Sequence, residues 1–121
     1  MTQPMNQLEL GQGGPCMSIV SHRLNQEGQA KFSDWFSRLR VVLQQQAGFV
    51  SVRAFVDAAV PSARHVLLEL ANEAALLAWT SGEAKAPLLR EIESLSTEPW
   101  TALRLQEMRA RLQPPSVPAK F

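Results

Sequence analysis

From Cys16 to Leu24 (CMSIVSHRL) the chain reads as a strand. Over Gln26–Gln46 the spacing changes: Phe32, Trp35, Phe36, Leu39, Val42 and Leu43 recur at the i, i+3, i+4, i+7 positions of an amphipathic helix. Gly48 follows where a left-handed cap favours glycine. Phe49–Asp57 then alternates, with Val50, Val52, Ala54 and Val56 on one side. Pro61 and Ser62 predict a turn, and Arg64–Ala71 alternates again with Val66, Leu68 and Leu70 on one face, so the two strands form a hairpin. Asn72 is placed to cap a helix over Glu73–Thr80. Ser81-Gly82 interrupts it, and a second helical piece over Ala84–Leu95 buries Leu88, Leu89, Ile92 and Leu95, with Pro87 tolerated in its first turn. Pro99 breaks the chain, and Thr101–Met108 turns Leu103 and Leu105 inward as a last strand. The order is that of an α+β, ferredoxin-like β-α-β-β-α-β fold with a four-stranded antiparallel sheet.

In such a fold the helices cover one face of the sheet. The sets opposite the apolar ones are mixed: Phe49/Ser51/Arg53/Phe55, His65/Leu67/Glu69 and Ala102/Arg104/Gln106/Met108. A face bathed in water does not usually carry Phe49, Phe55, Leu67 and Met108 together. Burying ~400 Å² of apolar surface there would be worth about 10 kcal/mol before association costs, so a homodimer through the sheet faces is expected.

A chain of 121 residues holds one domain. Its ordered part is expected over 16–108, between a Gln-, Gly- and Pro-rich leader at 1–15 and an extended tail at 109–121 containing Pro114, Pro115 and Pro118. The net charge of +1 comes without a basic run, which argues against a nucleic-acid partner. No apolar run approaches the ~18 residues of a membrane span, and residues 1–15 lack the pattern of a secretory signal. Cys16 is the only cysteine, so neither an internal disulfide nor a cysteine-based zinc site can form. His22 and His65 make no metal-binding spacing. The expectation is a soluble, cytoplasmic protein without membrane contact, metal or cofactor.

From about Met17 to Met108 the chain is similar to the antibiotic biosynthesis monooxygenase domain family of dimeric α/β barrels. The resemblance is carried by the first strand running into Glu27-Gly28, by Phe32…Trp35, by Ala47-Gly48-Phe49, by Leu70-Ala71, and by Leu76…Ala78-Trp79-Thr80-Ser81 with Leu88-Leu89 beyond. It implies a homodimer whose sheets pack into a barrel, with a pocket between helices and sheet in each subunit. Some members oxidise aromatic phenols without metal or flavin, and others degrade haem.

The resemblance places Trp79 on a tryptophan that lines the pocket of catalytic relatives; the alternative is a packing residue. It places His22 where haem-degrading members carry a catalytic asparagine. An imidazole there could act as base toward a phenol, since its usual pKa of about 6.5 suits proton removal near neutrality; the alternative is a hydrogen-bonded structural histidine. Leu89 falls on the relatives' axial-histidine position and cannot ligate iron, which sets haem degradation aside. The pocket tyrosines of quinone-forming relatives have no counterpart in a chain without tyrosine. Trp35 and Phe36 lie on the first helix's apolar stripe, as core or as substrate-binding wall. Arg53 and Arg104 would add charge to the substrate site, or pair with Glu69 and Glu107 at the interface. The functional expectation is a cofactor-independent monooxygenase acting on a small aromatic, with His22 as base and Trp79 as wall or hydrogen-bond donor. The alternative is a non-catalytic dimeric module that binds a small ligand or serves as scaffold.

Overall fold

In a computed structural model that describes residues 14–106, the expected strand and helix order is met. β1 spans Cys16–Leu24, α1 Gln26–Gln44, β2 Phe49–Asp57, β3 Val60–Leu70, α2 Glu73–Ser81, α3 Ala86–Ser94 and β4 Ser96–Gln106. The tail at 109–121, the leader apart from its last two residues, Glu107 and Met108 lie outside the described residues.

Local chemistry sets the helix ends. Asn25 caps α1 by accepting from the Gly28 amide at 2.7 Å, and Asn72 caps α2 by accepting from Ala75 at 2.9 Å. Pro87 sits in the first turn of α3, where no amide is missed. Gly48 takes a φ of +84° in the turn from α1 to β2. Gly28 lets α1 come down on the end of α3: a side chain there would begin 2.8 Å from the Leu95 carbonyl.

The strands order as β2-β3-β1-β4, all antiparallel. This is the ferredoxin-like arrangement. The expected barrel is not there. β2 and β4 are edges of an open sheet and do not pair with each other. Among the described residues no helix is long and apolar enough to cross a membrane.

Register overturns two of the expected face assignments. In β2 a bulge between Phe49 and Ser51 shifts the parity, so Phe49, opposite Leu70, packs against the core while Val50 is exposed. In β4 the pairs are Ser18 with Arg104, Val20 with Ala102, Ile19 with Leu103 and Met17 with Leu105. Paired residues share a face, and Ser18 is buried under the helices. Leu103 and Leu105 therefore point away from the helices, 56% and 41% exposed. The hairpin turn also lies earlier than expected, at residues 58–59, where Asp57 accepts from the Ala59 amide at 2.8 Å. Pro61 stands inside β3. Pro99 does not break the chain but lies within β4, an edge strand in which the missing amide is tolerated.

The core lies between the sheet and the three helices. Phe32, Trp35, Leu39 and Leu43 from α1 meet Cys16 and Leu24 of β1, Val66, Leu68 and Leu70 of β3, Leu76 and Trp79 of α2, and Leu88 and Ile92 of α3. α1 thus presents the stripe that its sequence spacing predicts.

Candidate functional site

The core is not filled completely. A cavity of about 220 Å³ remains between helices and sheet. Its floor is the helix-facing row of β1, Ser18, Val20 and His22, together with Val66 and Leu68 of β3 and Ala102 and Arg104 of β4. Trp35 and Leu39 of α1, Trp79 of α2 and Leu88 of α3 form its roof. Trp100 completes the wall, so all three tryptophans of the chain line it.

A backbone irregularity builds the His22 end. Ser21 pairs with Thr101 and Arg23 with Glu98, leaving His22 alone on β1 against Pro99 and Trp100 on β4. One residue facing two is a β-bulge, which re-aims side chains locally. Trp100 is held from outside by a hydrogen bond from its Nε1 to Glu93 Oε2 at 2.8 Å. Trp35 is fixed in turn by its Nε1, which donates to the Leu88 carbonyl at 2.8 Å and ties α1 to α3.

His22 is the buried polar side chain at one end of this space. It is 3% exposed, and its Nδ1 is sealed from solvent without a hydrogen-bond partner. A structural imidazole normally satisfies its nitrogens. Burial pushes its pKa from 6.5 down to about 4; the charge of Glu93 acts against that shift and His65 adds to it. The ring is therefore neutral at pH 7. It meets Trp35 edge-on, with centroids 5.7 Å apart and planes at 74°.

The structure brings His22, Trp79, Trp35 and Arg104 together around one cavity. Phe36 is not on its wall; it stacks on Phe32 at 6.0 Å. Arg53 lies on the other side of the sheet, with its guanidinium 5.4 Å from the Phe55 ring centre. His65 is also on that side, with Nδ1 2.8 Å from Ser21 Oγ. Leu89 forms part of the cavity wall. Among the described residues no group of three or more histidine, cysteine or acidic side chains is placed to hold a metal ion.

Sequence reasoning missed Ser18, Lys85 and Trp100 as lining residues. Ser18 had a signal: with His22 it is a polar residue on the parity of Cys16, Val20 and Leu24, at a spacing of four along one strand face. Trp100 had none, because the bulge decides which way it points.

No protein-family model matches the chain, and no curated protein matches it. Solved structures do. The chain is similar to SnoaB, a cofactor-independent oxygenase from Streptomyces nogalater, at 16% identity over 84% of this chain and 97% of that one, with a TM-score of 0.66. It is similar to a protein of unknown function from Nitrosomonas europaea at 19% identity over 87% and 100%, TM-score 0.68. It is likewise similar to an antibiotic biosynthesis monooxygenase at 17% identity over 78% and 99%, TM-score 0.68. At these identities the likeness establishes a shared fold.

Proposed function

We propose that the chain is a cofactor-independent monooxygenase that takes a small hydroxylated aromatic into the cavity between helices and sheet. The observation that carries this reading is a buried imidazole with an unpartnered Nδ1 on the wall of a tryptophan-lined, largely apolar space whose other polar side chains are Ser18, Thr80, Lys85 and Arg104. A mostly apolar, aromatic-lined pocket with a few placed polar groups is the usual form of a small-molecule site. Its volume of about 220 Å³ exceeds the roughly 150 Å³ that admits benzene in an engineered cavity, which suits one or two rings. The fold shared with SnoaB supports oxygenation as the chemistry.

In this reading His22, neutral at working pH, receives the phenol proton, and the tryptophans hold the ring and exclude water. The bound phenolate supplies the electrons. A phenol and O₂ give a quinone and water, one oxygen atom entering the ring and the other leaving with two hydrogens. The lowered pKa of His22 favours a second reading, because an imidazole at about 4 is a weak base. It would then hydrogen-bond a ligand hydroxyl without taking its proton, in a binding module that leaves the ligand unchanged.

The leucine-bearing open face of the sheet supports a homodimer joined sheet to sheet. The buried, unpaired thiol of Cys16 fits the reducing cytoplasm. Oxygen uptake with a panel of one- and two-ring phenols tests the main reading: turnover that disappears in His22→Ala is expected. Phenols that bind without oxygen uptake would leave the binding module, and a panel that neither binds nor reacts would remove both.

A further inference from the structure

The charge lining the cavity is one-sided. Among the described residues Arg104 and Lys85 are its ionised side chains, and no aspartate or glutamate is on its wall. The lysine is committed elsewhere: Lys85 Nζ donates to the Thr80 carbonyl at 2.7 Å and lies 3.4 Å from that of Gly82, at the end of α2. Arg104 differs. Among the described residues the ion pairs join Arg23 to Glu98, Lys31 to Glu27, and Arg38 to both Asp34 and Glu91, and none involves Arg104. An exposed arginine that lines the cavity and pairs with no carboxylate among the described residues is a ready anion partner.

Arg104 and His22 mark opposite ends of that floor. Arg104 pairs with Ser18, four residues before His22 on the same face of β1. At ~3.3 Å per residue the two backbone positions are about 13 Å apart. The cavity is thus a slot with aromatic walls, a cation at one end and a neutral imidazole at the other.

We propose that the ligand of this cavity is an elongated hydroxy-aromatic carboxylate, held by its carboxylate on Arg104 with its hydroxyl at His22. The proposal rests on the reading of the cavity as a ligand site and adds the substrate class. A single planar guanidinium matches a planar carboxylate through two parallel N–H···O bonds, which fixes the direction of the long axis. The hydroxyl then lies at the buried end, away from the charge.

Calorimetric titration of the full chain with 4-hydroxycinnamate, its methyl ester and 2-naphthol tests this. The acid is expected to bind about tenfold tighter than the ester, the advantage of a charge-assisted pair over a neutral one. In Arg104→Gln that preference disappears while ester affinity holds; in Lys85→Gln it persists. Arg104 is exposed on an edge strand, so the substitution leaves the core intact, and circular dichroism verifies this. An ester or naphthol that binds as well as the acid overturns the carboxylate assignment and leaves the cavity reading standing, as does an Arg104→Gln protein that keeps the preference. If none of the three binds, both fall.

Discussion

The His22 imidazole meets the Trp35 indole edge-on at 5.7 Å, and the indole is itself locked to the Leu88 carbonyl. A polar ring is thereby held rigidly in a place where its Nδ1 has nothing to bond. Leaving such a group unsatisfied costs about 1–3 kcal/mol. His22→Leu is therefore expected to match or exceed the stability of the parent at pH 7 by up to about 2 kcal/mol, while losing aromatic-ligand binding. Urea midpoints and calorimetry on the same preparations check both halves. A strongly destabilised variant would show that the imidazole belongs to the scaffold.

The same burial predicts a pH dependence with a definite sign. The imidazole titrates at 6.5 when unfolded and about 4 when folded, so between those values the unfolded chain binds the extra proton. This contribution to stability is complete above pH 6.5, is lost as pH falls toward 4, and is flat below. The full loss is about 3 kcal/mol. Unfolding free energies at pH 7 and pH 4.5 should diverge in the parent more than in His22→Leu. Equal slopes in the two proteins would contradict a buried, neutral ring.

Trp35→Phe removes the donor to Leu88 and part of the ring that closes the cavity roof. The Leu88 carbonyl sits in the first turn of α3, so the tie between α1 and α3 is what is lost. A loss of about 1–3 kcal/mol is expected. A chemical denaturation curve measures it, and an unchanged midpoint would mean that the hydrogen bond contributes nothing net.

Much of this was legible in the residues, for identifiable reasons. α1 carries its apolar stripe from Phe32 to Leu43, about three turns, and Asn72 does the capping its position suggests. In β2 the inward placing of Val52 and Ala54 was legible, but the faces of Phe49 and Val50, and those of β4, were not. Strand period is two, so one extra residue moves every later side chain to the other face. The bulge at Val50 and the one opposite His22 do this without a mark in the apolar pattern. β4 added a second ambiguity: its leucines were assigned to the helices because leucine is usually buried, whereas the helix side there needs Ala102 and Arg104 to leave the cavity open. His22 and Trp79 were named as candidates through the family resemblance, and both line the one cavity. Trp100 depends on the bulge and could not be placed.

Gly48 supports the turn that aims β2. Its φ of +84° is a conformation that side chains resist, and a Cβ there would stand 2.6 Å from that of Ala75 on α2. Gly48→Ala is expected to cost more than about 2 kcal/mol, the backbone contributing roughly 1 kcal/mol and the contact with α2 the rest. Adding Ala75→Gly should relieve the contact but not the backbone strain. Thermal unfolding of the single and double variants separates the two, and a single variant within about 0.5 kcal/mol of the parent would show that the turn simply rearranges.

The open face of the sheet gives the last prediction. Met17 and Ile19 of β1, Leu67 of β3, Phe55 of β2, and Leu103 and Leu105 of β4 share that face, and Phe55, Leu103 and Leu105 are between 41% and 56% exposed. Arg53, His65 and Glu69 lie among them, so the patch is apolar with a polar admixture, the composition of a surface that is wet before association and covered after it. If a second copy covers it, two lysines on the β4 side of the patch put charge into an otherwise apolar part of the contact. Leu103→Lys with Leu105→Lys should convert a dimer to a folded monomer, since neither side chain contributes to the core beneath the helices. Sedimentation velocity reads the mass, and circular dichroism verifies the fold. A parent protein that sediments as a monomer at tens of micromolar would exclude the interface, whatever the double variant does.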